Sequence, residues 1–331
     1  MDNSQITEKK YISLIPPDGG FGNQIIGIRE CLIIAKFLNR TCLVPPLREH
    51  YLKSNTTFYK FNNVFKLDID NIIIDDNYNL FNKFDSKKRY CTNQYYMNRK
   101  LRHDIIINSK KNTDILLKTR KIHDENFLEE LKNIEDNFII IKWLFNCVAI
   151  SKCTINGCFT CDFNEKFKEI YGDICSKWDF SDNIKSIGDL YIKNKFPDDQ
   201  KFICIHIRLP DVMRKTLMEY TEGKFNYKKI LKIVNIVKEE TKLPVFICSN
   251  NVPWLKKRGI NENFNTFSNE TFNSFIEQYI CCQGEKFYYL NVENTRFKSK
   301  HNRSTWTSFV NDYRIFFNKK NNNINLKDYV R

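Results

Sequence analysis

A chain of 331 residues with 42% hydrophobic and 14% aromatic content holds more apolar material than one core ordinarily serves, which excludes a disordered chain and predicts two domains of common size. Its 53 basic against 39 acidic side chains give a net charge of +14, which suits an anionic partner, although lysine travels with asparagine in runs such as Asn318 to Asp328 and compositional drift explains the excess equally well. The polar start, Met1 to Lys10, leaves no room for a signal peptide, and the longest apolar run, Asn137 to Ile150, carries Lys142 and is too short for a bilayer, so a cytoplasmic protein with no membrane partner is expected, its twelve cysteines reduced.

Taken in order, Tyr11 to Ile15 reads as a short buried strand. Three of only ten glycines, Gly19, Gly20 and Gly22, then precede a helix whose apolar positions Ile25, Ile28, Leu32, Ala35 and Leu38 fall on one face. Thr41 to Val44 is a second strand, closed by Pro45 and Pro46, which completes a βαβ unit. From Tyr51 to Glu135 the periodicity is weak, with one helix expected over Asp124 to Glu135. Lys201 to Arg208 is a continuous apolar run suited to the centre of a parallel sheet. After it come a helix over Asn226 to Glu240, with Ile230, Val234 and Val237 in its stripe, and a strand over Pro244 to Asn250. A helix over Glu270 to Cys282, a strand over Lys286 to Asn291 and a closing helix over Ser304 to Phe317 follow. Alternating strands and helices predict an α/β protein with parallel sheets, divided near Phe196 and Pro197 into residues 1–196 and 197–331.

Two segments end strands where open parallel sheets bind ligands. In Gly19 to Gln24 the glycines clear the way to the first-turn amides of a helix, a site for a phosphate or another polar ligand; a plain tight turn is the alternative. The spacing is not the dinucleotide fingerprint, and no acidic residue follows at the required distance. In the second segment His206 and Arg208 share one face of a strand end, with Asp211 in the loop beyond. An arginine fork matches phosphate oxygens in two-point fashion; the alternative pairs Arg208 with Asp211 and packs His206 into the core. Asp18 is the nearest carboxylate to the glycines, either a proton acceptor or an exposed turn residue. Cys147, Cys153, Cys158 and Cys161 include one C-x-x-C pair, but the other gaps are irregular, so thiols rather than a zinc clip are expected. Cys281 and Cys282 read as core. The basic runs lack interleaved aromatics, so no nucleic-acid partner is expected.

The segments Pro16 to Pro46, Phe202 to Asp211 and Phe275 to Arg314 together resemble the GDP-fucose protein O-fucosyltransferases, within the wider set of fucosyltransferases that share an H-x-R motif. The resemblance implies a GT-B fold, two Rossmann-like domains with mostly parallel sheets facing across a cleft, residues 1–196 on the acceptor side and 197–331 on the nucleotide-sugar side. It also implies transfer of fucose from GDP-fucose to a Ser or Thr hydroxyl of a protein, with inversion, no metal and no cofactor. Arg208 then corresponds to the arginine on the departing β-phosphate, His206 to its neighbour in the nucleotide site and Asp211 to the motif's acidic residue. Gly20, Phe21, Gly22 and Asn23 correspond to the segment where donor and acceptor meet. Ser304, Thr305 and Trp306 fall where the family touches the nucleotide, and Arg314 matches its later arginine.

Three features depart from the pattern. Gly20 stands where many members have Arg, Asp211 follows Arg208 by three positions where some branches have four, and a charged stretch, Val292 to Asn302, is added. A glycan acceptor therefore stays open, supported by the likeness of Phe246 to Lys257 to glycan-modifying enzymes, as does a non-catalytic GDP-sugar binder. Breaking the anomeric C–O bond builds negative charge on the β-phosphate, so donors fixed there favour the transition state over the ground state. Arg208 and the helix start near Asn23 are the candidates for that task.

Overall fold

The computed structural model describes residues 10–15, 21–48, 58–76, 132–133, 138–142, 165–197, 200–209, 227–260, 263–264, 272–291 and 305–326. The helix expected over Asp124 to Glu135 lies almost wholly outside them, as do Cys147, Cys153, Cys158 and Cys161. The chain divides into two compact units, Met1–Asp179 and Phe180–Arg331.

The first unit opens on strand β1 (Tyr11–Ile15), helix α1 (Phe21–Leu38) and β2 (Thr41–Val44), the βαβ unit foreseen from sequence. Short strands β3 (Leu47–Arg48) and β4 (Phe58–Tyr59) pair antiparallel, and β5 (Phe65–Leu67), β6 (Ile72–Ile74), β7 (Phe138–Lys142), helix α2 (Glu165–Ser176) and β8 (Trp178–Phe180) follow. The main sheet has the order β6-β2-β1-β7, all parallel, with Tyr11 opposite Thr41 on one side and Phe138 on the other. Strand β7 occupies the apolar run read from sequence only as too short for a membrane. Its isoleucines give it the β-branched character of a sheet strand.

Helix α1 departs from the one-faced helix that its spacing predicts: every residue from Gly22 through Ala35, Asn23 apart, is buried. A helix buried all round is a core helix, and its several isoleucines, poor helix formers, are held helical by packing. The burial takes Arg29 with it. Its guanidinium donates to the Tyr171 hydroxyl at 2.8 Å and lies 5.5 Å from the ring centres of both Tyr171 and Trp178, so aromatic faces replace water around the charge. The helix stops at Asn39, whose φ of +53° lets the Arg40 amide reach back to the Ala35 carbonyl at 2.9 Å.

The second unit begins with α3 (Asp182–Lys195), capped by the Ser181 hydroxyl on the Ile184 amide. Strand β9 (Ile203–Arg208), helix α4 (Tyr227–Thr241), β10 (Val245–Ser249), α5 (Val252–Lys256), β11 (Asn263–Phe264), α6 (Asn273–Gln283), β12 (Lys286–Asn291), α7 (Thr305–Asp312) and β13 (Asn323–Asn325) complete it. Between α7 and β13, Tyr313–Phe317 form a π-helical turn, so the expected closing helix changes pitch before it ends. The five-stranded sheet has the order β11-β10-β9-β12-β13, all parallel, with β9 at its centre as its apolar run predicts.

Alternation along β9 sorts its side chains to two faces. Ile203, Ile205 and Ile207, with Leu209 beyond, join Ile230, Ile233, Val234 and Val237 of α4 in one apolar cluster. Cys204 and His206 turn the other way, Cys204 donating to the Ile280 carbonyl of α6 and His206 meeting Thr307 of α7. The described cysteines are all buried and unbridged, and burial holds the Cys204, Cys248 and Cys281 thiols protonated, Cys248 pushed up to about 12.

Helix α3 groups with the second unit by its contacts, ahead of the break expected near Phe196 and Pro197, because it packs on α6. Gly188 lies directly against the Tyr279 ring of α6. A Cβ there would lie 2.3 Å from Tyr279 Cδ1, and that ring cannot yield, since its hydroxyl donates to Asp189 at 2.7 Å and its edge meets Phe180. Alanine at an exposed helical position gains about 1 kcal/mol over glycine. Here the overlap reverses the sign: Gly188→Ala is expected to destabilise by about 1–2 kcal/mol and lower the thermal midpoint.

Candidate active site

Each unit presents one strand-to-helix junction that carries residues singled out from sequence. In the first, Phe21, Gly22 and Asn23 form the opening turn of α1. Gly22 is buried, Phe21 and Asn23 are half-buried, and the Phe21 ring sits 5.7 Å from that of Tyr59. Amides of an opening turn point out of the helix end, where the dipole favours an anion or a hydroxyl oxygen. Asp18 and Gly20, just before it, lie outside the described residues.

In the second unit the junction is the carboxyl end of the central strand. Ile207 is in register with Ser249 of β10, and Arg208 with Asn291 of β12, so the backbone carrying the arginine is built into the sheet. His206 and Arg208 share a face as expected, yet differ in exposure: His206 is 5% exposed while Arg208 is half-buried. Asp211 lies outside the described residues, so the expected acidic companion of Arg208 is not described.

The His206 ring stacks on Trp306, centroids 4.2 Å apart at 24°, and its Nδ1 is 2.9 Å from Thr307 Oγ1. Trp306 is fixed in turn: its indole N–H donates to Ser274 Oγ at 3.0 Å, and its carbonyl accepts from the Gln278 amide at 3.3 Å. Of the residues expected to touch the nucleotide, the structure thus brings Trp306 and His206 together, with Thr305 as the first residue of α7; Ser304 lies outside the described residues. Thr307, Ser274 and Gln278 were not foreseen, because only the fold brings α6 and α7 to this end of β9.

Burial, aided by the nearby Arg208 charge, lowers the His206 pKa from 6.5 to about 3, so the ring is neutral at physiological pH. The unfolded chain takes up a proton at this ring below about pH 6.5 that the folded chain refuses until about pH 3. The stability contributed by the neutral ring is therefore complete above about pH 6.5 and lost as pH falls toward 3. His206→Asn is expected to flatten that dependence, seen as a smaller fall in urea midpoint between about pH 6.5 and 4.5 than in the wild-type chain.

Arg314, matched in sequence to a later arginine of the family, is wholly buried and serves the fold. Its guanidinium donates to the carbonyls of Cys281, Cys282, Gly284 and Glu285, at 3.1, 3.3, 2.7 and 3.2 Å, and to the side chains of Asn322 and Asn323. It is a positive cap on the carboxyl end of α6.

A hollow of about 780 Å³, lined by Asp189, Lys193, Phe196, Lys201, Phe202 and Glu285 among others, opens at the amino end of β9. That is the wrong end of a parallel sheet for the donor, and none of the residues expected at the nucleotide lines it. Among the described residues, no group of three or more His, Cys, Asp or Glu is placed to hold a metal ion, and no helix is long and apolar enough to cross a membrane.

The geometry can be set beside known proteins. The chain matches the family described as GDP-fucose protein O-fucosyltransferase over residues 11–305. Among solved structures, POFUT1 in complex with GDP-fucose shares the fold with a TM-score of 0.53 at 12% identity, covering 96% of this chain and 97% of that one. The fucosyltransferase NodZ from Bradyrhizobium gives 0.52 at 13% identity, covering 94% of each chain. No curated protein matches the chain by sequence. These likenesses bear out the expected α/β, GT-B-like fold class with its parallel sheets. The family match runs from the first strand of one unit to the opening of α7 in the other, and the chain belongs to the GDP-fucose protein O-fucosyltransferase family.

Proposed function

We propose that this fucosyltransferase moves fucose from GDP-fucose to a Ser or Thr hydroxyl of a protein, with inversion and without a metal ion. Family membership carries the coarser part, a GDP-fucose-dependent glycosyltransferase. The observation that supports the finer reading is Arg208: a half-buried arginine at the carboxyl end of a central parallel strand, its backbone paired in the sheet, two residues from His206, which stacks on Trp306.

The chemistry asks for what such an arginine supplies. As the anomeric C–O bond breaks, negative charge grows on the β-phosphate oxygens, and a planar fork already in place gains more from that charge than from the bound donor. With His206 held neutral, the positive charge at this strand end is left to Arg208. The opening turn of α1, with Asn23, is assigned to hydroxyl or phosphate oxygens through its amides, Asp211 to holding Arg208, and Asp18 to accepting the acceptor's proton. The solved structures of NodZ and POFUT1 are alike in fold similarity, so fold does not choose the acceptor.

The test is transfer from GDP-fucose to a folded protein acceptor and, in parallel, to an oligosaccharide, with and without EDTA. Product on the protein at a Ser or Thr, of inverted configuration and indifferent to EDTA, is expected. Product on the oligosaccharide alone contradicts the acceptor assignment, and loss of activity in EDTA contradicts metal-free transfer.

A further inference from the structure

Strand β10 stops pairing with β9 at Ser249, opposite Ile207, one residue before Arg208. Its backbone turns away there to start α5: the Ser249 hydroxyl accepts from the Asn251 amide at 3.2 Å, and the Asn251 side chain caps α5 on the Trp254 amide at 3.1 Å. Among the described residues no strand then lies beside the outer edge of β9 beyond Ile207. Asn250 fills the gap with its side chain. Its Oδ1 accepts from the Leu209 N–H at 2.8 Å, and its Nδ2 donates to the Leu209 carbonyl at 2.9 Å.

A carboxamide offers one acceptor and one donor in the same plane as a peptide group does, so this clasp prolongs the sheet by one residue without a strand. It falls on Leu209, whose side chain is buried in the α4 cluster. Arg208 therefore has a backbone neighbour held on each side, Ile207 by the strand and Leu209 by the clasp, while β12 holds its other edge in register at Asn291. Asn250 itself is exposed, a poor place for a bond meant to hold the whole domain together.

We propose that Asn250 is a positioning residue for the transfer reaction: it acts through Arg208, fixing the direction in which the guanidinium leaves the strand end. The inference rests on the proposed role of Arg208. A displacement of about 1 Å at a charge-stabilising group is enough to cost on the order of a hundredfold in rate. Asn250→Ala is accordingly expected to lower kcat by about 10- to 100-fold with the acceptor KM within about twofold, and to weaken GDP binding severalfold, with the chain still folded at the assay temperature and its thermal midpoint lowered by only a few degrees.

The decisive arm is the double variant. Because Asn250 works only through the arginine, Arg208→Ala with Asn250→Ala should hydrolyse GDP-fucose no more slowly than Arg208→Ala alone. Losses that multiply overturn the proposal, as does an Asn250→Ala chain with wild-type kcat and GDP affinity. Should Asn250→Ala fail to fold, Asn250→Asp answers the same question. Its carboxylate accepts from the Leu209 amide but cannot donate to the carbonyl, whereas the protonated acid does both, so its turnover relative to wild type should rise as pH falls through about 4, the ordinary range of an exposed aspartate. A ratio independent of pH overturns the proposal. A wild-type chain that binds no GDP overturns the reading of Arg208 and this inference with it, whereas GDP binding lost in Arg208→Ala and intact in Asn250→Ala overturns the inference alone.

Discussion

Arg208→Ala is expected to lower fucose transfer by about two to three orders of magnitude while the chain stays folded. The rate falls because the β-phosphate loses its fixed counter-charge as the glycosidic bond breaks. The fold survives because the half-buried side chain lies at the rim of the sheet, and its backbone is held by register with β12 and by the neighbouring Ile207–Ser249 pair. Arg208→Lys should recover only part of the loss: an ammonium restores charge but not the two parallel N–H bonds of a fork. Steady-state kinetics on GDP-fucose, with circular dichroism to show the fold is kept, measure both halves of the statement. Equal turnover in Arg208→Ala would remove the mechanism.

The second arginine should behave in the opposite way. Arg314→Met is expected to cost about 3–5 kcal/mol of stability, because it removes the donor shared by four carbonyls at the end of α6 and leaves only Asn318 on the Cys282 carbonyl and Asn322 on that of Glu285. Cys281, Cys282 and Gly284 are buried, so water does not readily replace the N–H their carbonyls lose, and the positive charge they share with the half-buried Glu285 carbonyl is the complement of the helix's negative end. The side-chain oxygens of Asn322 and Asn323 lose their donor at the same time, so the entry to β13 loosens too. Arg314→Lys should fall between, since one ammonium has three donors for a cluster that uses both ends of a guanidinium. Chemical unfolding of the two variants measures the loss. A midpoint unchanged by Arg314→Met would mean that these bonds are replaceable, and α6 is capped by something else.

The contrast between the two arginines shows what could be read from the chain alone. Both fall in motifs of the same family, and nothing in their local sequence separates the one at the strand end from the one under a helix. Period and composition were enough for β1, α1 and β2 and for every major element from β9 to α7, because those segments carry their own apolar pattern. They were not enough for α1's surroundings: spacing shows one stripe, while burial on all sides depends on what packs against the rest. Strand β7 is hidden inside a longer apolar run, and α3 is missing from the sequence reading, since the helix it packs on, α6, lies far along the chain. At the site, Arg208 and His206 were legible from alternation along one strand. The Trp306 stack on His206, the Thr307 bond and the Asn250 clasp were not, since each joins residues that are far apart in the chain and meet only when the sheet has formed.

Calorimetric titration of the wild-type and Arg208→Ala chains with GDP, with UDP and ADP as controls, tests the central claim most directly. The account predicts saturable GDP binding by the wild-type chain, clearly tighter than UDP or ADP, and a marked loss of that binding in Arg208→Ala. GDP bound equally by both chains, or bound no better than UDP, would contradict it.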